Sequence, residues 1–455
     1  MRFTPPEEAL ELYTTGFEND LLGRKKVGQR LSEVLQRTED PLVVALDGRW
    51  GTGKSHFLQR WVGEHLRQYS GEANTLYFDA FAHDYLSDPL VALVGALSER
   101  LPEEESSKLD RVKEVTLKLL RPAARVGLAL ATYGATEVLN GLGDAAAKAV
   151  ENEAGKAVEE FWKREEGRQA AMEEFRKALG ALTAAKGGKA PTPLIIVVDE
   201  LDRCRPDYAL EILEVIKHFF AVPHVHFVLG ANLEALENSV KARYGAGIEA
   251  TAYLQKFLSF TVALPEHVGD GERPSAILSY VDHLGAAMGT PKHLVKGMKA
   301  QIAVLGKNNS ISLRDVGKAI SILALLPRVA QEKSISEGEL CVMITIIISR
   351  IININLFKKM LDDTLENEDI RNYIGIKSYR IESFVDGGLK YPESHDFDLF
   401  LYAIWAYIRS DRSEDDYYSY APMGQFFGDL MRPYGSGKIP RQIYDDWLSD
   451  FRLPD

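Results

Sequence analysis

Gly48-Arg49-Trp50-Gly51-Thr52-Gly53-Lys54-Ser55 decides the fold of this 455-residue chain. The stretch fits G-x-x-x-x-G-K-[ST], the spacing of a phosphate-binding loop. An apolar run, Leu42-Val43-Val44-Ala45-Leu46, precedes it, and a helical pattern, Phe57-Leu58-Gln59-Arg60-Trp61-Val62, follows. Strand, loop and helix in that order are the setting the motif needs. Glycines let backbone N–H groups turn toward phosphate oxygens, and the helix N-terminus adds a positive dipole end. The expected nucleotide contacts are Gly48, Arg49, Trp50, Gly51, Thr52, Gly53, Lys54, Ser55 and His56. Lys54 would place its charge on the β- and γ-phosphates, and Ser55 would offer its hydroxyl to Mg²⁺. A chance glycine-rich turn is the plain alternative, and the filling of every fixed position argues against it.

A second signal lies 140 residues on, at Leu194-Ile195-Ile196-Val197-Val198-Asp199-Glu200. A buried parallel strand ending in acid is a Walker B pattern. Asp199 is expected in the metal shell, and Glu200 as the base that orients and deprotonates the attacking water. A third is Phe227-Val228-Leu229-Gly230-Ala231-Asn232, a strand ending in an amide. Asn232 suits a sensor of the γ-phosphate, and it also suits a cap on the helix that starts at Leu233. Phosphoryl transfer further needs positive charge on its transition state. Arg314, at a helix start capped by Ser312, is the first candidate, followed by Lys256 and Arg203. Each has an alternative as an ordinary surface ion pair.

Composition is that of a globular protein: 45% hydrophobic, 26% charged, net charge -12. The length suits two or three domains. The acidic balance argues against a surface that coats nucleic acid. Cys204 and Cys341 are far apart and lack CxxC spacing, which points to a reducing, cytoplasmic setting. Met1 to Glu8 lacks an apolar core, so no signal peptide is expected there. Arg125 to Val150 and Cys341 to Phe357 are apolar, but charges or polar residues interrupt both. Buried helix is the expectation for the second, and membrane contact is not expected.

The pattern organises into an opening helix around Val27, Leu31, Val34 and Leu35, then alternating strands and helices. The expected strands lie at Thr75–Ala80, Leu194–Val198, Val225–Leu229 and Phe257–Val262. The fold class is therefore α/β with a parallel sheet. The domain reading is 1–102 for the first part of the nucleotide core and 103–190 for an Ala-, Glu- and Lys-rich helical insertion ending in a Gly-Gly loop. The core resumes over 191–265, and 266–455 forms a helical lid and C-terminal helical domain.

Taken in order, these residues resemble the KAP family of P-loop NTPases. The likeness rests on Asp20-Leu21-Leu22-Gly23-Arg24, the Trp-Gly inside the phosphate loop, and Asp199-Glu200-Leu201-Asp202-Arg203-Cys204. Tyr253-Leu254-Gln255-Lys256-Phe257 and Ser312-Leu313-Arg314-Asp315-Val316 extend it. Departures are Asp79-Ala80-Phe81 in place of Asn-x-Trp, Asn232 where Asp is frequent, and Leu313 in place of Pro. The resemblance implies an additional-strand P-loop sheet, with one strand between the phosphate-loop strand and the Walker B strand, followed by a helical subdomain. Many relatives carry a transmembrane hairpin where this chain has the polar 103–190 stretch. Some act in bacterial phage exclusion and defence.

The functional expectation is ATP hydrolysis with Mg²⁺, serving a conformational switch or assembly motor with homo-oligomer and protein partners. No Asn-Lys-x-Asp guanine reader is present, so ATP is preferred over GTP. One alternative is a nucleotide-gated scaffold with little turnover, using the aromatic tail Asp415–Tyr420 and Phe426-Phe427 as a partner surface. The other is a DNA-directed motor, for which Arg121, Arg125, Lys163 and Arg164 offer some positive charge.

Overall fold

The computed structural model describes residues 4–5, 10–70, 73–86, 88–101, 106–119, 165–185, 190–264, 275–326, 335–376, 397–409, 423–427 and 438–449. The centre of the 103–190 stretch with its four basic residues, the end of its Gly-Gly loop, and the run Asp415–Tyr420 lie outside the described residues. The chain divides into two compact units. One comprises Leu10–Asp20 and Arg24–Pro265; the other comprises Met1–Ala9, Leu21–Gly23 and Glu266–Asp455.

The first unit is built on five strands: β1 (Val43–Asp47), β2 (Asn74–Asp79), β3 (Leu194–Asp199), β4 (Val225–Ala231) and β5 (Phe260–Ala263). All pair in parallel, in the order β2-β3-β4-β1-β5. β4 therefore separates the phosphate-loop strand from the Walker B strand, the additional-strand arrangement that the family resemblance implies. Helices cover both faces, so β3 and β4 are apolar along their lengths rather than alternating.

Strand alternation sorts the core into two layers. Val44, Leu46, Ile195, Val197 and Val228 face α1 (Lys25–Arg37) and α2 (Lys54–Gln68), meeting Leu31, Leu35, Phe57, Leu58, Trp61 and Val62. Trp61 Nε1 ties those two helices, donating to Gly28 O and Ser32 Oγ at 3.0 Å each. Leu194, Ile196, Val198, Phe227 and Leu229 face the other way. They meet α3 (Pro89–Arg100), α4 (Ser106–Leu119) and the helices Glu165–Thr183, Pro206–Phe219 and Leu233–Tyr244. Asp88 caps α3 by accepting from Leu90 N–H, and Pro89 occupies its first turn.

The described flanks of the 103–190 stretch pack into the sheet core. Val112, Val115, Phe175 and Leu179 are fully buried in the same core as β2 and β3. The last strand also differs from expectation. Phe257 N–H donates back to Leu254 O, so the chain is still turning there, and pairing with β1 begins at Phe260.

The second unit is helical, with a core shared by Ala276–Met288, Lys292–Leu305, Leu313–Leu325, Glu337–Ile352 and Phe397–Arg409. The apolar 341–357 run is not one helix. Asn353 ends the first helix and its side chain caps Ile354–Leu361, accepting from Leu356 N–H at 3.1 Å. Ile344, Ile346 and Ile347 are buried in this core, as expected. Phe426 and Phe427 also fill it, with Phe426 edge-on to Phe400 and Phe427 stacked near Tyr407. Those two rings thus offer no partner surface. Among the described residues no helix is long and apolar enough to cross a membrane.

Candidate functional site

The register brings the strand ends to one level. Asp79, Asp199, Gly230, Leu46 and Val262 share a rung across the sheet. The phosphate loop leaves β1 just beyond that rung. Gly51 and Gly53 have φ of 81° and 83°, a left-handed backbone that costs other residues roughly 1–2 kcal/mol each. Gly53 precedes α2 without a side-chain cap, so the first-turn N–H groups keep the donors a helix N-terminus offers an anion.

Lys54 is buried, and its ammonium donates to Gly48 O at 2.5 Å and Arg49 O at 3.3 Å. Burial lowers its pKa, against the pull of Asp202, Asp199 and Asp47. Arg49 and Trp50 are exposed, and Trp50 Nε1 donates to Asp202 Oδ2 at 2.5 Å. Thr52 folds its hydroxyl back onto Arg49 O at 2.8 Å. His56 accepts from Arg60 Nε at 3.3 Å, on the first turns of α2.

Asp199 is the best-supported side chain of the site. Only 1% of it is exposed. Its Oδ2 accepts from the Tyr77 hydroxyl at 2.6 Å, its Oδ1 accepts from Glu200 N–H at 2.9 Å, and Ser55 also hydrogen-bonds to it. Burial raises its pKa against those three donors. Ser55 and Asp199 are thus joined, as a serine would be that gives its proton to the carboxylate and keeps its oxygen for a cation. Magnesium takes few protein ligands beside phosphate oxygens and water. A joined hydroxyl and buried carboxylate at the end of a glycine loop holding a buried lysine fit a triphosphate with Mg²⁺.

Glu200 sits in the left-handed region, with φ 57° and ψ 27°, a backbone that strains a non-glycine residue. Its carboxylate accepts from Arg203 at 2.8 Å. Burial raises its pKa and Arg203 opposes the rise. A raised carboxylate pKa suits a general base. Arg203, a candidate for the transition-state charge, is therefore engaged on the candidate base in its own turn. Lys256 is exposed and lies over the Tyr253 ring at 5.8 Å. Asn232 occupies the N-cap position of Leu233–Tyr244, but its side chain makes no cap bond. The cap comes from β1 instead: Asp47 Oδ1 accepts from Leu233 N–H at 3.0 Å. Arg314 is exposed in the other unit, on a helix where Ser312 and Asp315 form a capping box.

Three contributors escaped the sequence reading. Arg24 is 5% exposed and clamps the phosphate loop from outside, donating to Thr52 O at 2.7 Å and Gly53 O at 3.1 Å. Burial pulls its pKa down to about 10, with Asp20 opposing. Asp20 in turn accepts from the Arg24 and Lys25 N–H groups, fixing the start of α1. Gly230 is the second: a Cβ there would stand 2.3 Å from Asp199 Oδ1 and 2.5 Å from Leu58 Cδ1, so the carboxylate occupies space that glycine leaves. Tyr77 is the third. The motif Asp20–Arg24 and the alternation of β2 were visible signals, but neither says which side chain meets the loop.

A model of the KAP family P-loop domain matches residues 24–330, more than half of the chain. The chain belongs to the KAP family. Among curated proteins none matches it. Two solved structures of the ORC2 protein of Aeropyrum pernix are distantly similar. The ADPNP-ADP complexes share 12% identity at a TM-score of 0.35, over 97% of this chain and 95% of theirs. The ADP form shares 12% identity at a TM-score of 0.33, over 88% and 85%. This KAP chain is thus a P-loop, nucleotide-binding NTPase by family, and the matched span reaches from Arg24 of the loop clamp past Arg314.

Proposed function

We propose that this KAP P-loop chain binds ATP with Mg²⁺ and hydrolyses the β–γ phosphoanhydride, using turnover to drive a conformational switch. One observation carries the reading: the buried carboxylate of Asp199 is hydrogen-bonded to Ser55 beside a buried Lys54, with Glu200 next in the chain. Loop amides from Gly48 to His56 hold the phosphates, and Lys54 neutralises the oxygens that gain charge. Ser55 and Asp199 hold magnesium, which when bound withdraws charge from the transferred phosphoryl group. Glu200 takes a proton from water as the water oxygen bonds to the γ-phosphorus and the bridging oxygen leaves with ADP. Asn232 orients that water. Arg314, Lys256 or Arg203 supplies further positive charge, within one chain or from a neighbour in a homo-oligomer. A bacterial defence role rests on the family likeness alone, and a cytoplasmic setting on Cys204 and Cys341 lacking disulfide-framework spacing.

A second reading is a nucleotide-gated scaffold with little turnover. The Glu200–Arg203 pair favours it, because a carboxylate held by a guanidinium is a weaker proton acceptor. Steady-state turnover decides between them. Glu200→Gln should cut kcat by about a hundredfold or more while nucleotide affinity stays within about twofold. Equal turnover in that variant would remove Glu200 from the role of base, and ATP-dependent assembly without measurable turnover would favour the scaffold.

A further inference from the structure

Tyr77 lies on β2, the edge strand next to Walker B, two residues before the strand end that meets Asp199 in register. Its hydroxyl is 2.6 Å from Asp199 Oδ2, a short distance for an O–H on a carboxylate. A carboxylate has no proton to give, so the phenol is the donor. Its direction is set from behind. Gln59 Nε2, on α2 one turn past Ser55, donates to the phenol oxygen at 3.4 Å. With that lone pair occupied, the phenolic hydrogen turns to Asp199. The ring's backbone is also anchored. Tyr77 N–H donates to the Tyr13 hydroxyl at 3.1 Å, and the Arg100 guanidinium lies 4.0 Å over the Tyr13 ring. Tyr13 itself has φ 75°, a left-handed backbone unusual for a bulky side chain.

Burial pushes the Tyr77 hydroxyl far above its ordinary range, and the Asp199 charge adds to the rise. On the β4 side, Asp199 Oδ1 fills the space that Gly230 leaves, where any Cβ would stand 2.3 Å from it. Asp199 is thus held by Tyr77 on Oδ2 and by Glu200 N–H on Oδ1, with Ser55 as its third partner.

We infer that Tyr77, oriented by Gln59, is the positioning residue that sets the Asp199 carboxylate for magnesium beside Ser55. The inference rests on the nucleotide-binding reading above. Partners that orient a metal ligand typically contribute about 10- to 100-fold in metal affinity. Tyr77→Phe keeps the ring and removes the donor.

The test measures Mn²⁺ affinity by electron paramagnetic resonance with a non-hydrolysable ATP analogue bound, and analogue affinity without metal. Tyr77→Phe should weaken Mn²⁺ binding by about tenfold or more and leave metal-free analogue affinity within about twofold. Gln59→Leu should weaken Mn²⁺ binding less, in the same direction. Unchanged Mn²⁺ affinity in Tyr77→Phe would overturn the inference and leave the nucleotide reading intact. Equal loss of metal-free analogue affinity would assign Tyr77 to packing of the loop, and would also overturn it. A wild-type chain that binds analogue but no Mn²⁺ would overturn both the inference and the metal assignment.

Discussion

The two units bury different kinds of polar group. In the sheet unit the fully buried polar set includes Arg24, Lys54, Arg60, His65, Asp199 and His226. In the helical unit, among the described residues, it is Thr290, Gln301, Ser321, Thr345 and Ser349, all neutral. A buried ionisable group costs stability unless partners or function compensate. Three of the six in the sheet unit converge on the phosphate loop: Arg24 on its carbonyls, Lys54 within it, Asp199 opposite Ser55. In the helical unit Gln301 and Thr345 close on each other. Gln301 donates to Cys341 O at 2.7 Å and accepts from Thr345 at 2.9 Å, and Trp405 Nε1 donates to Thr345 Oγ1 at 3.3 Å. That network knits three helices. One unit spends stability on a site, and the other is organised for packing.

Acid should separate the two units most. His65 is fully buried between the rings of Trp61 and Tyr69, with neither nitrogen bonded. His226 is fully buried, and its Nδ1 accepts from Leu42 N–H. Burial pulls each from 6.5 down to about 4, with His224 adding to the shift at His226. A depressed folded pKa on a base means that the unfolded chain takes up protons first. Stability is therefore full above pH 6.5 and is lost as pH falls toward 4, by about 3 kcal/mol per imidazole. Peptide-resolved hydrogen exchange at pH 7, 5.5 and 4.5 should show the sheet core opening before the helical core. His65→Phe should flatten that dependence, and an unchanged profile would show that the ring is not the proton acceptor.

Gly230→Ala comes next. The added methyl meets Asp199 Oδ1 and Leu58 in a packed layer, so the sheet unit should lose about 1–3 kcal/mol together with metal-dependent nucleotide affinity. Chemical denaturation alongside a nucleotide titration checks it, and wild-type affinity in this variant would mean that Asp199 has freedom the geometry denies. The smallest effect falls in the other unit. Gln301→Ala strips partners from Thr345 and Cys341 O, costing about 1–3 kcal/mol, nearer the lower figure because Thr345 keeps its bond to Cys341 O. Nucleotide affinity should not change. Loss of affinity there would erase the contrast between the units.

Much of the nucleotide core was legible because its rules are local. Apolar runs and glycine spacing located β1, β3 and β4, and the family likeness implied that one strand lies between the phosphate-loop strand and the Walker B strand. What stayed hidden depends on register and on side-chain reach. No local pattern shows that Tyr77 meets Asp199, that Asp47 rather than Asn232 caps the next helix, or that Gly230 stands beside a carboxylate. Arg24 belonged to a visible motif with no visible purpose until the loop carbonyls came to meet it. The apolar 341–357 run read as a single helix because Asn353 carries its break in a side chain rather than in a glycine or proline. The last strand began later than its hydrophobic residues because Phe257 and Leu258 pack against the core before pairing starts.

The central claim is that Asp199 and Ser55 hold a divalent cation on a nucleotide gripped by the loop at Lys54. Isothermal titration of the wild-type chain with a non-hydrolysable ATP analogue, with and without Mg²⁺, tests it most directly, using Asp199→Asn as the control. The account predicts one site per chain, with Mg²⁺ tightening binding in the wild type and having little effect in Asp199→Asn. No heat of binding, or equal tightening in both proteins, would contradict it.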